Sequence, residues 1–184
     1  TGIAASADSM SVVGLPADFT LQVDNLSVLY NTQSATSTPA ASAMSWSLLI
    51  ADTANPLHDL SGDTSLAVSG DLTVNLGGYV LVAGSFDVAK TTQPAVVLGE
   101  GDTQSIDLLT ISLTGVDLFV GLGGSFDTTE GSYGVLTTGA TGFSVENANL
   151  YLALASTTAL TDTRSWTGIA ASADSMSVVG LPAD

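Results

Sequence analysis

The first eighteen residues, TGIAASADSMSVVGLPAD, recur letter for letter as residues 167 to 184, so that Thr1 has its counterpart 166 positions on, at Thr167. Chance does not produce such a run, and convergence would spare only the positions that packing demands. The identity implies tandem duplication, and residues 1–184 read as a window of about 1.1 periods of a longer array. A chain built this way must fold as units that adjoin copies of themselves.

The pattern inside the period is that of strands. Leu26, Val28 and Tyr30 alternate with polar residues, as do Leu72, Val74 and Leu76, then Leu118, Val120 and Leu122, then Leu150, Leu152 and Leu154. This is the period of two expected of β-structure. Gly, Ser, Thr, Asn and Asp punctuate the chain at intervals of about eight to twelve residues, a turn signal. No stretch has a capped apolar period of 3.6. The nearest helical candidate, from Ala41 to Ala54, reads as loop plus strand.

Aligning the four strands exposes a shorter repeat, an Asx residue followed by alternating aliphatic positions, starting at Asn25, Asp71, Asp117 and Asn149. Each of these four inner modules also has an aromatic after a small residue: Trp46, Tyr79, Tyr133 and Trp166. Units of this length are too short to close a seven-stranded sandwich alone, their loops vary while the strand motif does not, and small residues fill strand positions. The expected fold is all-β, a tandem-repeat β-solenoid of stacked coils, with a string of small β-sandwich modules as the alternative.

The runs WTGIAASADSMSVVGLPADFTLQVDNLSVLYNT and YGVLTTGATGFSVENANLYLALAS resemble repeat units of giant bacterial cell-surface or secreted proteins of the adhesin type. The resemblance implies an exported extension or attachment role, extracellular or at the cell surface. It brings no catalytic residue with it.

Charged residues make up 11% of the chain, against roughly 25% in ordinary soluble domains. Eighteen are acidic and two, Lys90 and Arg164, are basic, giving a net charge of −16. A partner rich in phosphate would need clustered cations, so nucleic acid is disfavoured. No apolar run reaches the roughly 18 residues that span a bilayer as a helix, so membrane insertion is not expected. Cysteine is absent, which removes disulfides, thiolate metal sites and cysteine nucleophiles.

Catalytic chemistry finds few residues to work with, and the expectation is that the protein is not an enzyme. The one histidine, His58, lies in a polar run and reads as a surface loop imidazole; Asp59 beside it does not establish an orienting partner. Gly121 to Asp127 has the glycines of a phosphate loop but lacks its lysine and helix, and reads as a turn. The Thr pairs at 91 and 92, 128 and 129, 137 and 138, and 157 and 158 are adjacent instead of alternating, so they form no flat Thr ladder for ice.

Cations are the natural counterpart of this charge. No cofactor is required, but calcium takes oxygen ligands, and two loops place carboxylates beside glycine and hydroxyl residues. Asp59 and Asp63 lie in one, Glu100, Asp102 and Asp107 in the other, and both equally fit solvated acidic turns. The Asx column reads as a set of turns that start each strand. In stacked coils Asp71 and Asp117 would lie roughly 4.8 Å apart, exposed or bridged by a cation. One period would carry about one negative charge per 1.4 Å of such a rod, close to the roughly 1.7 Å of duplex DNA.

The expected function is that of a structural segment, a fibre, stalk or adhesin extension whose partners are neighbouring repeats or copies of itself, with divalent cations as further candidates. The alternative is a module whose variable loops bind surface glycans or another cell.

Overall fold

The computed structural model describes residues 1–16, 18–34, 42–99, 101–127 and 133–181. Among them are ten strands: β1 (Gly2–Ser11), β2 (Phe19–Asn31), β3 (Thr64–Leu76), β4 (Val80–Val97), β5 (Thr103–Leu122), β6 (Ser125–Phe126), β7 (Val135–Leu136), β8 (Thr141–Thr157), β9 (Ser165–Ser172) and β10 (Ser175–Val179). Eight form one open sheet in which β1 to β5 and then β8 follow one another in chain order. β9 and β10 lie end to end along the outer side of β8, and β6 and β7 make a separate small hairpin. The outer strands of the sheet are therefore β1 on one side and β9 with β10 on the other.

The protein is all-β, as expected, but every pairing in the large sheet is antiparallel. A solenoid of stacked coils is not shown by the described residues, and the sandwich-like alternative is compatible with this open sheet. An alternating pattern fixes a strand and its faces without fixing its partner, and tight turns decide for the antiparallel neighbour. Between β3 and β4 a three-residue loop, Gly77 to Tyr79, turns the chain: the Tyr79 amide donates to the Leu76 carbonyl at 3.2 Å, and Gly77 and Gly78 sit at φ 67° and 74°, a conformation that glycine adopts without strain. The Gly78 amide donates to Asn75 Oδ1 at 2.7 Å.

The two faces of the sheet differ in chemistry. From Ala5, register partners run through Val28, Val68, Val88, Ile111 and Leu152 to Ile169. Further along the strands, Val12 donates its amide to Leu21, and that row continues through Val74, Val82, Leu118 and Val145 to Met176. The opposite face carries rows such as Ser6, Ser27, Ser69, Asp87 and Ser112. The strands are 13 to 20 residues long from β2 to β5, longer than the punctuation suggested. Gly70, Gly84 and Gly115, which read as turn signals, lie inside them. Register shifts mark a line of irregularity across the middle of the sheet: at residues 24–27 of β2, between Ala83 and Ser85 of β4, and twice in β5 and β8 between Leu113 and Leu118. Asn25, Gly115 and Asn147 take positive φ there, 51°, 59° and 49°. Bulges of this kind let long strands twist without ending them.

Two devices cover parts of the polar face. At one end of β4 and β5, Phe119 and Leu81 are register partners, 0% and 2% exposed, and together with Ala140 they form the core cluster against which Phe126, Val135 and Val179 pack. A Cβ added to Gly121, Gly142 or Gly124 would come within 3.0 Å of the Phe119 ring, so these three glycines make room for it. At the other end, residues 42–63 fold over β1 and β2. The stretch from Ser42 to Ala54, expected to hold a strand, instead has a 3-10 turn at Trp46–Leu48, because Trp46 is drawn into side-chain contacts; Ala41 lies outside the described residues. Its indole Nε1 donates to Asn31 Oδ1 at 3.1 Å, and Asn31, 2% exposed, donates in turn to the carbonyls of Met44 and Ser61 at 3.0 and 2.9 Å. Gly2 lies beneath the indole, where a Cβ would come 2.6 Å from Nε1.

Among the described residues nothing covers the apolar face in this way. The chain presents 11275 Å² of accessible surface, against about 8,200 Å² for a compact monomer of its mass. A single layer of sheet accounts for the excess.

Candidate functional site

The acidic residues singled out in sequence do not converge. Asp59 ends a 3-10 turn, Pro56–Asp59, with its Oδ1 3.1 Å from His58 Nδ1. The Asp63 carbonyl accepts from the Thr92 amide at 2.9 Å. Asp107, in β5, accepts from the Thr92 hydroxyl at 2.7 Å. Asp102 accepts from Arg164 Nη2 at 2.5 Å and from Gln104 Nε2 at 3.0 Å. Glu100 lies outside the described residues. Among the described residues no three His, Asp or Glu side chains stand together in a way that could hold a metal ion.

Arg164, one of the two basic residues, ties two loops together. Its Nη2 also meets Asp162 Oδ2 at 2.6 Å, so the turn before β5 is joined to the segment between β8 and β9. The guanidinium beside it holds the Asp162 carboxyl down at about 2, helped by the Arg164 backbone amide, and lowers Asp102 as well. Both carboxylates raise the pKa of Arg164. The cluster is open to solvent, so its contribution to stability is modest. The spacing of Asp162 and Arg164 was the available signal, but Asp102 enters only through the tertiary fold.

The Asx column falls on the line of bulges rather than at strand starts. Asp71 is the register partner of Asp24, not a rung below Asp117, which lies two strands away on β5. Neutral donors separate the two neighbouring carboxylates: Gln22 Nε2 reaches Asp24 at 2.8 Å, while Asn25 Nδ2 and the Ser85 hydroxyl reach Asp71 at 2.9 and 2.6 Å. Asn25 also donates to the Tyr133 hydroxyl at 3.0 Å, and burial, with Asp24 and Asp71 close by, raises the Tyr133 pKa. Two strands on, on the same face, Asp117 accepts from the amides of Val135 and Asn147 at 3.0 and 2.9 Å, and Asn147 Nδ2 donates to Asp174 at 2.7 Å. Asp117 thus satisfies the Asn147 amide, and Asn149 Oδ1 the Gly115 amide at 3.2 Å, at the bulges, while the bonds of Gln22, Asn25 and Ser85 tie side chain to side chain. Their chemistry here is that of structural hydrogen bonding.

What the molecule offers for interaction is therefore its surfaces and edges. On the apolar face Val120, Phe143, Leu150 and Leu154 are each 39 to 44% exposed and contiguous through the register. Toward β9 and β10 the exposure rises, to 70% at Ile169 and 71% at Met176. An apolar surface continuous over so many strands is uncommon on a monomer. The edges present unpaired backbone groups, which template further pairing. No family model, curated protein or solved structure matches the chain.

Proposed function

We propose that this chain is a structural segment of an extracellular fibre, stalk or adhesin extension, whose length and stiffness come from repeated β-modules. The observation that supports this best is that the segment repeated in sequence supplies both outer strands of one open sheet. A unit whose two ends are the same strand is suited to extension. No catalytic step is part of the reading, and the partners are further copies of the same unit.

The finer architecture we read for the array is a ribbon of antiparallel strands in place of stacked coils. Sandwich-like association of two such sheets would cover the apolar face. Divalent cations enter as screening partners of a surface with a net charge of −16. Electron microscopy of native material tests the proposal: filaments whose length scales with the number of periods are expected, and compact unconnected particles would overturn it. A glycan-array signal from a single period would move the reading to a binding module acting through its loops. Thermal melts with calcium and with chelator at low salt are expected to differ by several degrees, and superimposable curves would remove cations from the account.

A further inference from the structure

We propose that β1 and β9–β10 are two half-views of one strand, and that the outer edge of β2 is a docking site for residues 167–179 of another copy of this chain. This deepens the fibre reading, on which it rests, by naming the joint between units. Four observations support it.

Backbone polarity is complementary at the two edges. Thr1 exchanges both its nitrogen and its carbonyl with Thr32 of the β2 edge, at 2.7 and 2.9 Å. Residues of an antiparallel strand bond alternately to one side and the other. In β9 the Arg164 carbonyl accepts from the Thr157 amide of β8, so Trp166 and Gly168 face β8 while Thr167 and Ile169 direct their groups outward. The groups that Thr1 uses on β2 are thus the ones its counterpart leaves unpaired.

Side-chain polarity agrees too. The row from Ala5 ends on Ile169, counterpart of Ile3, and the row from Val12 ends on Met176, counterpart of Met10. Both halves of the strand step by two residues across the sheet. An even step returns the same side chains to the apolar face, whereas an odd one would invert it.

The packing of the two copies is complementary. Gly2 is roofed by Trp46, but among the described residues a Cβ added to Gly168 would meet only the Ala153 side chain, at 3.9 Å. Conversely, Val179 packs on the Phe119 cluster, while its counterpart Val13 is 88% exposed. A Cβ added to Gly180 would run into Ala140 and Thr141, while one added to Gly14 would meet nothing within 4 Å among the described residues. One copy makes the contacts of the start of the strand and the other those of its end.

The Asx line is met in the same way from both sides. Asp8 stands opposite Asn25 and its counterpart Asp174 opposite Asn147, both asparagines at positive φ. A single strand placed between β8 of one unit and β2 of the next satisfies all four conditions. The sheet then continues without a seam, with six strands and roughly 29 Å per unit.

The test uses the full chain with its own β1 disabled. Ile3→Pro with Ala5→Pro removes amides that face β2, while Ile169→Pro with Ala171→Pro removes amides that face away from β8 and spares its pairing. Light scattering and electron microscopy of the first double variant are expected to give head-to-tail polymers, which a peptide of residues 1–14 dissolves. Adding the second pair of substitutions should leave monomers. A folded, monomeric first double variant would overturn the proposal. Should that variant be unfolded alone, the same peptide in excess restores its β-sheet circular dichroism, and failure to do so equally overturns the proposal. Filaments in native material alongside such a failure would leave the fibre reading standing and sink only the shared strand.

Discussion

One stretch of sequence occupies two places in this molecule and behaves differently in each. As β1 it forms one ladder from Gly2 to Ser11 against β2, while as β9 and β10 it is interrupted at residues 173–174 and lies entirely exposed from Ser165 to Ser172. The amino acids are the same, so the difference belongs to the neighbours. β1 is held at its start, where Trp46 closes over Gly2, and β10 at its end, where Val179 reaches the Phe119 cluster. Burial and order in a repeat are thus properties of junctions between units, as expected where stability is a sum of unit and interface terms.

Substitutions that separate the two anchors test this contrast. Phe119→Ala empties the fully buried site under the hairpin and is expected to cost about 3–5 kcal/mol in urea unfolding. Hydrogen exchange should then accelerate at 175–179 with little change at 2–11; equal acceleration of both would mean that the anchors are not separate. Gly180→Ala and Gly14→Ala impose the same positive φ, 74° and 85°, worth about 1 kcal/mol each. Crowding against Ala140 should add about 1–3 kcal/mol at Gly180 alone, and equal losses would contradict the difference in packing. Gly2→Ala, forced into Trp46, should cost about 1–3 kcal/mol, whereas Gly168→Ala should stay within about 0.5 kcal/mol. In a chain of two periods the Gly168 effect should rise to match Gly2.

The smallest effect concerns the ion cluster just ahead of the second copy. Asp162 titrates at about 2 in the fold against an ordinary 3.8, so its contribution is complete above that ordinary value and disappears as the pH falls toward 2. Acid titration of stability should lose this component in Arg164→Ala, and an unchanged acid limb would remove the cluster from the account.

Much of the fold was legible because alternation is a direct record of sidedness. Leu72, Val74 and Leu76, and likewise Leu150, Leu152 and Leu154, lie on one face as the period of two requires. Partner choice was not legible, since the same alternation serves stacked coils and meanders alike. The tetrapeptide Gly-Ser-Phe-Asp shows why local punctuation misleads. At 84–87 it lies inside β4, with Phe86 opposite Leu113, whereas at 124–127 it leaves the sheet through β6 and brings Phe126 to the Phe119 cluster. The acidic loop residues were the poorest guide. Asp102 owes its partner to Arg164, 62 residues away, and the Asx residues serve bulges that only the long strands reveal.

The two-residue step across the sheet has a consequence for how such a chain can change over time. In the shared-strand array proposed above, each strand inherits its register from its neighbour, while its own alternation decides which side chains face the apolar side. Lengthening a loop leaves that inheritance untouched, and so does a compensated pair of bulges. A single uncompensated residue inside one strand would turn the rest of that strand's apolar side chains to the polar face. Such a protein is free to drift in its turns and is held, strand by strand, to an even count.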